Sequence, residues 1–431
     1  MMMSMYSAVS GLKSQQTKLN VIGNNIANIN TVGYKSQKVG FSDLLSQNIS
    51  GASGASGNMG GTNAKQIGLG SQVSSIEMVM NPGSSQYTGS DTDVALGGEG
   101  FFIVQGTTAT DYRYTRAGNF GVDTAGNLVV NGMKVCGYGA KDGVIDSSQT
   151  GINLFDNGKY SLKSKTTANA SLAGNLDNSK STAQAPTTIT NTLTVYDVKG
   201  TAHETTITFK NVVTPGALPT DPGTPTSDWT VTVATSDGAD TTVVTDPDPM
   251  TVTFDSDGKI DPLTNAFKLS FTALKGGATA PQTVAIDLTS VNGYATATGT
   301  SSVKVDNIDG YAAGDLTDFS IGADGVITGS YSNGQKKSVG QLVVATFNNS
   351  AGLEKIGDNL YDRTMNSGEP APETPGSGQA AKLTTGALEM SNVDLANEFS
   401  EMMITQRAYQ ANSKIITTSD TLMETLINMS R

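Results

Sequence analysis

Residues 391–431 read SNVDLANEFSEMMITQRAYQANSKIITTSDTLMETLINMSR, and the spacing of their apolar side chains decides how the rest of the chain is read. Leu395, Phe399, Met402, Tyr409, Ile416 and Met423 follow the alternating four-and-three step that keeps a seam on one face of a helix, with Gln406, Ser413 and Asp420 at the intervening positions. Ser391 or Asn392 is the expected cap. Neither Gly nor Pro interrupts the segment. A helix of about 39 residues would run roughly 58 Å, longer than a small domain is wide. Such a helix needs a partner.

The candidate partner lies at the opposite end of the chain, where Met2, Met5, Val9, Leu12, Gln16, Leu19, Gly23 and Ile26 repeat the same heptad spacing. This helix is expected to end near Asn30, because Asn24, Asn25, Asn28, Asn30 and Gly33 favour caps and turns. Gln, Gly, Ser or Asp dilutes each seam, which suits burial by neighbouring subunits. An intramolecular helical hairpin closing a globular protein fits the same periodicity, and spacing alone leaves both open.

Composition sets outer bounds. At 431 residues the chain should divide into two or three domains. Its 49 glycines and 15% charged residues describe a β-rich, loop-rich protein with polar surfaces. A formal charge of −12 disfavours nucleic acid or an anionic membrane surface as partner. Cys136 is the single cysteine and has no internal disulfide partner. No apolar run is long enough for membrane insertion, and MMMSMYSAV lacks the features of a cleaved leader.

In chain order, residues 31–71 read as an extended connector, with an apolar cluster at Phe41, Leu44 and Leu45 followed by a Gly/Ser tract over 50–61. Strand patterns begin near Gln72 and include 101–104, 112–115 and 128–135, where Asn131-Gly132 is the strongest hairpin signal in the chain. Residues 151–309 are richer in Thr and Pro and predict a second all-β domain, a sandwich or barrel. Loops are expected at 215–225 and 246–249, and a turn at Asp257-Gly258. Strands resume after residue 318, with hairpin signals at Asp324-Gly325 and Asn333-Gly334, and a Pro-rich loop over 367–378 leads back to the terminal helix. The fold class is therefore multidomain α+β, with the middle domain inserted in one built from both flanks.

Catalytic and metal signals are thin. His203, the single histidine, reads as a solvent-facing strand residue, which leaves no multi-histidine zinc site. Asp255, Asp257 and Asp261 lack the later ligands of a calcium loop and read as a turn. The Gly tracts lack the Lys and Ser/Thr of a phosphate loop. No enzyme and no cofactor is expected.

The motifs are more specific. Ser10-Gly11-Leu12 and the run from Leu19 through Gly23, Asn24, Asn25, Ile26, Asn28, Gly33, Tyr34 and Lys35 resemble the N-terminal signature of the bacterial flagellar rod, hook and hook-associated axial proteins. Residues 97–102, Tyr114-Thr115-Arg116-Ala117-Gly118-Asn119-Phe120 and Asp123 are similar to the family's β-domain motif. Residues 388–396, including Ser391 and Asn392, and 406–414, including Gln406 and Arg407, resemble its C-terminal signature. The middle domain carries no matching motif.

That resemblance implies an inner tube of paired terminal helices (1–30 with 388–431), a connector (31–71), an inner β-domain (72–150 with 310–387) and an inserted outer β-domain (151–309). The inserted domain and the Asn-Val-Asp-Leu form of the tail favour a hook-type subunit, with a distal-rod or hook–filament junction subunit as the alternative and a β-rich surface adhesin as a remote one. A hook-type subunit polymerises with itself into a curved tube and acts as a universal joint. Its implied partners are the distal rod protein, the hook cap scaffold, the hook–filament junction protein and the flagellar type III export apparatus, which delivers it outside the cell without a cleaved signal. Met5, Val9, Leu12, Leu19, Ile26 and the α-helical seam residues of the tail are then the expected self-assembly interface. For Cys136 two roles compete: a buried small apolar residue, and a crosslink to a lysine of another subunit such as some hooks make.

If neighbours bury the seams, limited proteolysis trims the chain before about residue 72 and after about residue 386 in free subunits and spares both ends in polymer. Equal protection in the two states would contradict the polar-diluted seams.

Overall fold

The computed structural model describes residues 2–54, 60–106, 108, 111–141, 143–154, 160–177, 188–212, 228–235, 242–246, 250–255, 257–273, 282–296 and 300–429. The expected loop at 215–225, residues 247–249 of the second loop and 55–59 of the Gly/Ser tract lie outside them. Two compact units are present. The first comprises 1–156, 318–329 and 336–431, and the second 157–317 and 330–335.

In the first unit, helix α1 (Met2–Ala27) and helix α2 (Leu395–Met429) lie antiparallel. Gly11 faces Asn412, the Lys18 ammonium sits 3.0 Å from the Glu401 carboxylate, and Asn25 donates to Glu398 at 3.1 Å. The cap of α2 is Asp394, whose carboxylate accepts the Ala396 and Asn397 amides at 2.9 and 3.4 Å. Ser391 and Asn392 precede the helix instead, because the Asn392 side chain is committed to other backbone. Residues 421–429 at the end of α2 are all exposed.

Residues 31–71 are not a bare connector. Gln37–Asp43 pairs antiparallel with Ser71–Met78, with a register shift between Gly40 and Phe41, and beyond it Ser46–Ser50 pairs with Lys65–Gly68. The two sides of this arm are separated by the Gly/Ser tract, so no short hairpin signal marks it.

Phe101–Gln105 forms the middle of the unit's main sheet, flanked by Tyr112–Thr115, Met133–Lys141 and Val344–Thr346. The Asn131-Gly132 hairpin forms with Val130 opposite Met133 and positive φ at both turn residues (50° and 77°), the geometry that matches strand twist. Behind it Phe101, Ile103, Tyr114, Cys136, Val343, Phe347 and Tyr361 make one core. Phe101 and Tyr114 stack edge-on against Phe347 at 5.8 and 4.9 Å. Two short ladders tie the tail to the head of the chain: Leu383–Thr385 on Val94–Leu96, and Ala387–Glu389 on Ser85–Tyr87.

The second unit is a sandwich. One sheet runs in the order 242–246, 266–273, 282–292, 169–175, 304–308, and the other 188–196, 202–212, 228–235, 250–252. Alternate residues point between the sheets: Leu193, Val195, Ile207, Phe209, Trp229 and Val231 from one, Leu172, Phe267, Leu269, Val284 and Ile286 from the other, all nearly inaccessible. His203 belongs to this interior. It is 1% exposed, with Nε2 3.7 Å from the Asp197 carboxylate, which corrects the solvent-facing expectation. The alternation of strand 202–212 is read correctly; its inward face begins one pair earlier than the apolar residues do.

Phe209→Ala should remove about 3–5 kcal/mol from the sandwich by opening a cavity beside Trp229. Urea unfolding followed by fluorescence of Trp229, the single tryptophan, measures it directly.

Candidate functional site

The three motif regions, distant in sequence, meet at one buried ion cluster. The Lys35 ammonium lies 2.6 Å from Glu389 Oε1, and Arg116 Nη1 lies 3.3 Å from Oε2. All three residues are at most 2% exposed. Backbone groups add to the shell: Gly83 N–H donates to the Glu389 carboxylate at 3.0 Å, Lys35 donates to the Asn81 carbonyl at 2.9 Å, and Arg116 donates to the Gly98 carbonyl at 2.7 Å, while Arg116 Nε has no partner. The guanidinium also lies over the Phe101 ring at 5.0 Å. Burial pulls the Lys35 pKa below the ordinary lysine range and the Arg116 charge adds to this, while Glu389 opposes it by attraction and hydrogen bonding.

Around the cluster, short polar residues do what a long apolar side chain could not: they satisfy irregular backbone. Asn392 accepts from Ser36 N–H at 2.8 Å and donates to the Val79 and Asn81 carbonyls at 2.8 and 3.1 Å. Asn25 exchanges a pair of bonds with the backbone of Gln37 at 2.9 and 3.0 Å. Tyr34 is buried under the Lys355 ammonium, 3.9 Å from its ring centre, and its hydroxyl accepts from Asn24 at 3.1 Å. Asn28 donates back to the Asn24 carbonyl at 2.9 Å and Ser391 Oγ accepts from Val393 at 3.4 Å, both local turn bonds. Gly33 sits at φ 68° and donates to the Glu389 carbonyl at 2.8 Å. A Cβ there would lie 2.8 Å from the Arg116 carbonyl carbon. Gln406 and Arg407 are not at this junction; they lie exposed on α2.

The expected assembly residues fall elsewhere, and their burial differs from the simple seam. Ala8, Gly11, Ser14, Val21, Ile22 and Asn25 are buried on α1, and Thr405 and Ser419 on α2. Both α2 and the arm cover α1: Gly11 faces Asn412, Ser14 Oγ lies 3.2 Å from Ser71 Oγ, and Asn25 bonds Gln37 as well as Glu398. Val9, Leu395, Phe399, Tyr409 and Met423 are exposed, and Phe399 is 49% accessible. Met5, Leu12, Leu19, Ile26, Met402 and Ile416 are half-buried at the edges of the pair. On α1 the residues that meet the other helix are Gly11, Lys18 and Asn25, each one position before Leu12, Leu19 and Ile26 of the expected seam. What remains outward is a set of apolar stripes: Met3, Tyr6 and Val9 on α1, and Leu395, Phe399, Met403, Leu422, Leu426 and Met429 on α2. The arm adds Phe41, Leu44, Leu45, Ile49 and Ile67, all exposed.

Cys136 is fully buried in the core with Phe101 and Tyr361, and burial pushes its thiol up to about 12. Asp255 accepts the Asp257 and Lys259 amides at 3.0 and 2.8 Å and so closes its own turn. No group of His, Cys, Asp and Glu side chains suited to a metal occurs among the described residues. Lys35, Arg116 and Glu389 stand inside the motifs, but nothing local marks them as a set.

Four family models match the chain: Flagella basal body rod protein at 5–35, Flagellar hook protein FlgE/F/G D1 domain at 95–161, Flagellar basal body protein FlaE D2 domain at 161–311, and Flagellar basal body rod FlgEFG protein C-terminal at 384–429. The class is thus that of flagellar axial proteins. Among similar relatives, the flagellar hook protein FlgE of Treponema pallidum is 38% identical over the whole of both chains. That of Salmonella typhimurium is 34% identical over 99% of this chain and all of its own. The flagellar basal-body rod protein FlgG of Bacillus subtilis is 30% identical over the whole of both. The chain belongs to the flagellar hook protein FlgE family.

Gly33→Ala should cost about 3 kcal/mol, since it adds a left-handed alanine to a steric overlap with the 116–117 backbone. Chemical denaturation of the full chain tests this, and a loss below about 1 kcal/mol would mean that the motif backbone yields freely.

Proposed function

We propose that the chain is the structural subunit of the flagellar hook, polymerising with copies of itself into a curved, flexible tube that passes motor torque to the filament. The observation that carries this reading is the outward apolar stripe on each terminal helix, because a monomer gains nothing by leaving Leu395 and Phe399 in water. Burial of such residues is worth about 1.5–3 kcal/mol each, enough for a few to drive self-association. The role is structural and not catalytic. Distal rod protein, hook cap scaffold, hook–filament junction protein and the type III export apparatus are the partners we assign, with export outside the cell and no cleaved signal. A distal-rod role is the second reading, favoured by the full-length similarity to the Bacillus subtilis FlgG protein.

In this scheme the helices hold the tube wall. The Thr- and Ser-rich sandwich of 157–317 presents polar faces whose mutual contacts are wet and individually weak, and these re-form as the tube bends. Electron micrographs of the assembled protein separate the readings: a curved tube supports the hook and a straight rod supports the alternative.

Leu395→Asp or Phe399→Asp should abolish polymerisation while leaving both units folded, since either charge would be buried without a partner in the wall. Sedimentation of assembled material beside circular dichroism of the monomer gives the answer. Tubes of normal length from the variants would remove these residues from the interface.

A further inference from the structure

We propose that the first and last strands of the sandwich, Asn169–Asn175 and Lys304–Ile308, leave it together as one leaf while its other strands stay folded, so that the inserted unit holds a reversible reserve of length in its own two connections. The topology isolates this pair. Lys304–Ile308 is an edge strand bonded to Asn169–Asn175, and Asn169–Asn175 is joined to the rest of its sheet by a single ladder, on Gln282–Asn292. That ladder is weak. It is parallel, a pairing slightly less stable per residue than the antiparallel one, and its register shifts between Ser171 and Ala173. The strand reads Asn-Ala-Ser-Leu-Ala-Gly-Asn, in which Asn, Ala and Gly are types depleted in strands, and it gives the core Ala170 and Leu172. No residue of Lys304–Ile308 is fully buried. The large core side chains, Phe209, Trp229, Phe267, Leu269 and Phe271, all belong to strands that stay. A separate set of bonds holds the two leaving strands to each other. The Asp309 carboxylate accepts the Ala168 and Asn169 amides at 2.9 Å each, and Lys165 and Tyr311 exchange backbone bonds of 3.0 Å between the two connections. Opening therefore breaks the ladder on Gln282–Asn292 and, at its base, the bonds of Thr167 to Tyr196 and to the Gln282 side chain. Leu176 and Val303, buried just beyond the far ends of the two strands, remain as the roots of the leaf. Once out, its seven and five strand residues add roughly 23 and 17 Å to the two connections at about 3.3 Å per residue. The inference concerns the inserted unit alone and does not rest on the hook reading.

The test is amide hydrogen exchange on the full-length chain through a series of urea concentrations below the unfolding transition. Amides of 169–175 and 304–308 should exchange together, at least about tenfold faster than those of 202–212, and with a smaller dependence on urea, because opening the leaf exposes less surface than unfolding the sandwich. Leu269→Ala supplies the second arm. Leu269 is fully buried on Ala266–Ala273, separated from the leaf by Gln282–Asn292, so its loss weakens the sandwich equally with the leaf closed or open. Exchange over 202–212 should then rise by about thirtyfold or more, while the leaf speeds up by much less, closing the gap between them by about fivefold or more. Equal acceleration of the two overturns the leaf, as does a common rate and urea slope for both in the wild type. If Leu269→Ala fails to fold, the wild-type series decides: separate rates and slopes support the leaf, and common ones overturn it.

Discussion

A carboxylate that must neutralise two cations away from water constrains everything around it. Taking Lys35, Arg116 and Glu389 out of solvent costs several kcal/mol per ion before any attraction is counted, so the site persists only where surrounding backbone is fixed tightly enough to supply further hydrogen bonds. Gly83, Asn81 and Gly98 supply one each, and Arg116 Nε is left without a partner. The Asn81 carbonyl belongs to an irregular segment that Asn392 holds in turn, while Asn25 holds the chain just after Lys35 through Gln37. The abundance of asparagine in the terminal motifs thus has a plain physical cause: a short amide that donates and accepts at once matches backbone where no ladder runs. Replacing the cluster by apolar residues would tolerate sliding. A charge triad does not, and that fixes where both helices leave the β-structure.

The helices themselves follow from the opposite economy. The contacts between them are Gly11 against Asn412, Asn25 with Glu398 and Lys18 with Glu401, groups that allow close approach but are poor in apolar area. The pair is held by geometry and by Lys18–Glu401, a partly exposed bridge of the kind worth at most about 1 kcal/mol. Their larger apolar residues point the other way. A helix pair arranged so keeps its strongest driving force for contacts it does not make within one chain, which is the energetic signature of a subunit and not of a finished globule.

Much of this was legible in the sequence, and the parts that were not share a cause. The Asn131-Gly132 hairpin, the alternating strands of the Thr-rich domain and the two terminal helices announce themselves because each is fixed by residues within a few positions of one another. Heptad spacing reports a period but not which of two apolar-bearing faces meets the neighbour, so the seam was placed one position away from the buried face of α1. The arm was missed because Val39 finds Ile76 across a long Gly/Ser excursion that carries no pairing signal. His203 looked exposed because its strand alternates, and alternation does not say which face turns inward when Thr205 shares that face. The ion cluster joins positions 35, 116 and 389, and no local rule connects them.

The same separation explains how one chain serves two mechanical demands. The sandwich of 157–317 is internally complete: its core of Phe209, Trp229, Phe271 and Ile286 is shut off from solvent and needs nothing from a neighbour. The first unit is complete only in its β-core, where Phe101, Tyr114 and Phe347 pack edge to face, and incomplete along its helices and arm. Association that buries α1 and α2 stabilises the helix pair by mass action, whereas the sandwich has little further to gain. A subunit divided in this way concentrates cohesion in its terminal helices and leaves its inserted unit free to make contacts that form and break at small cost. On the proposed function, a polymer of such subunits would hold together along the helices while its sandwich contacts exchange, and its flexibility would come from polar surfaces and not from a soft core.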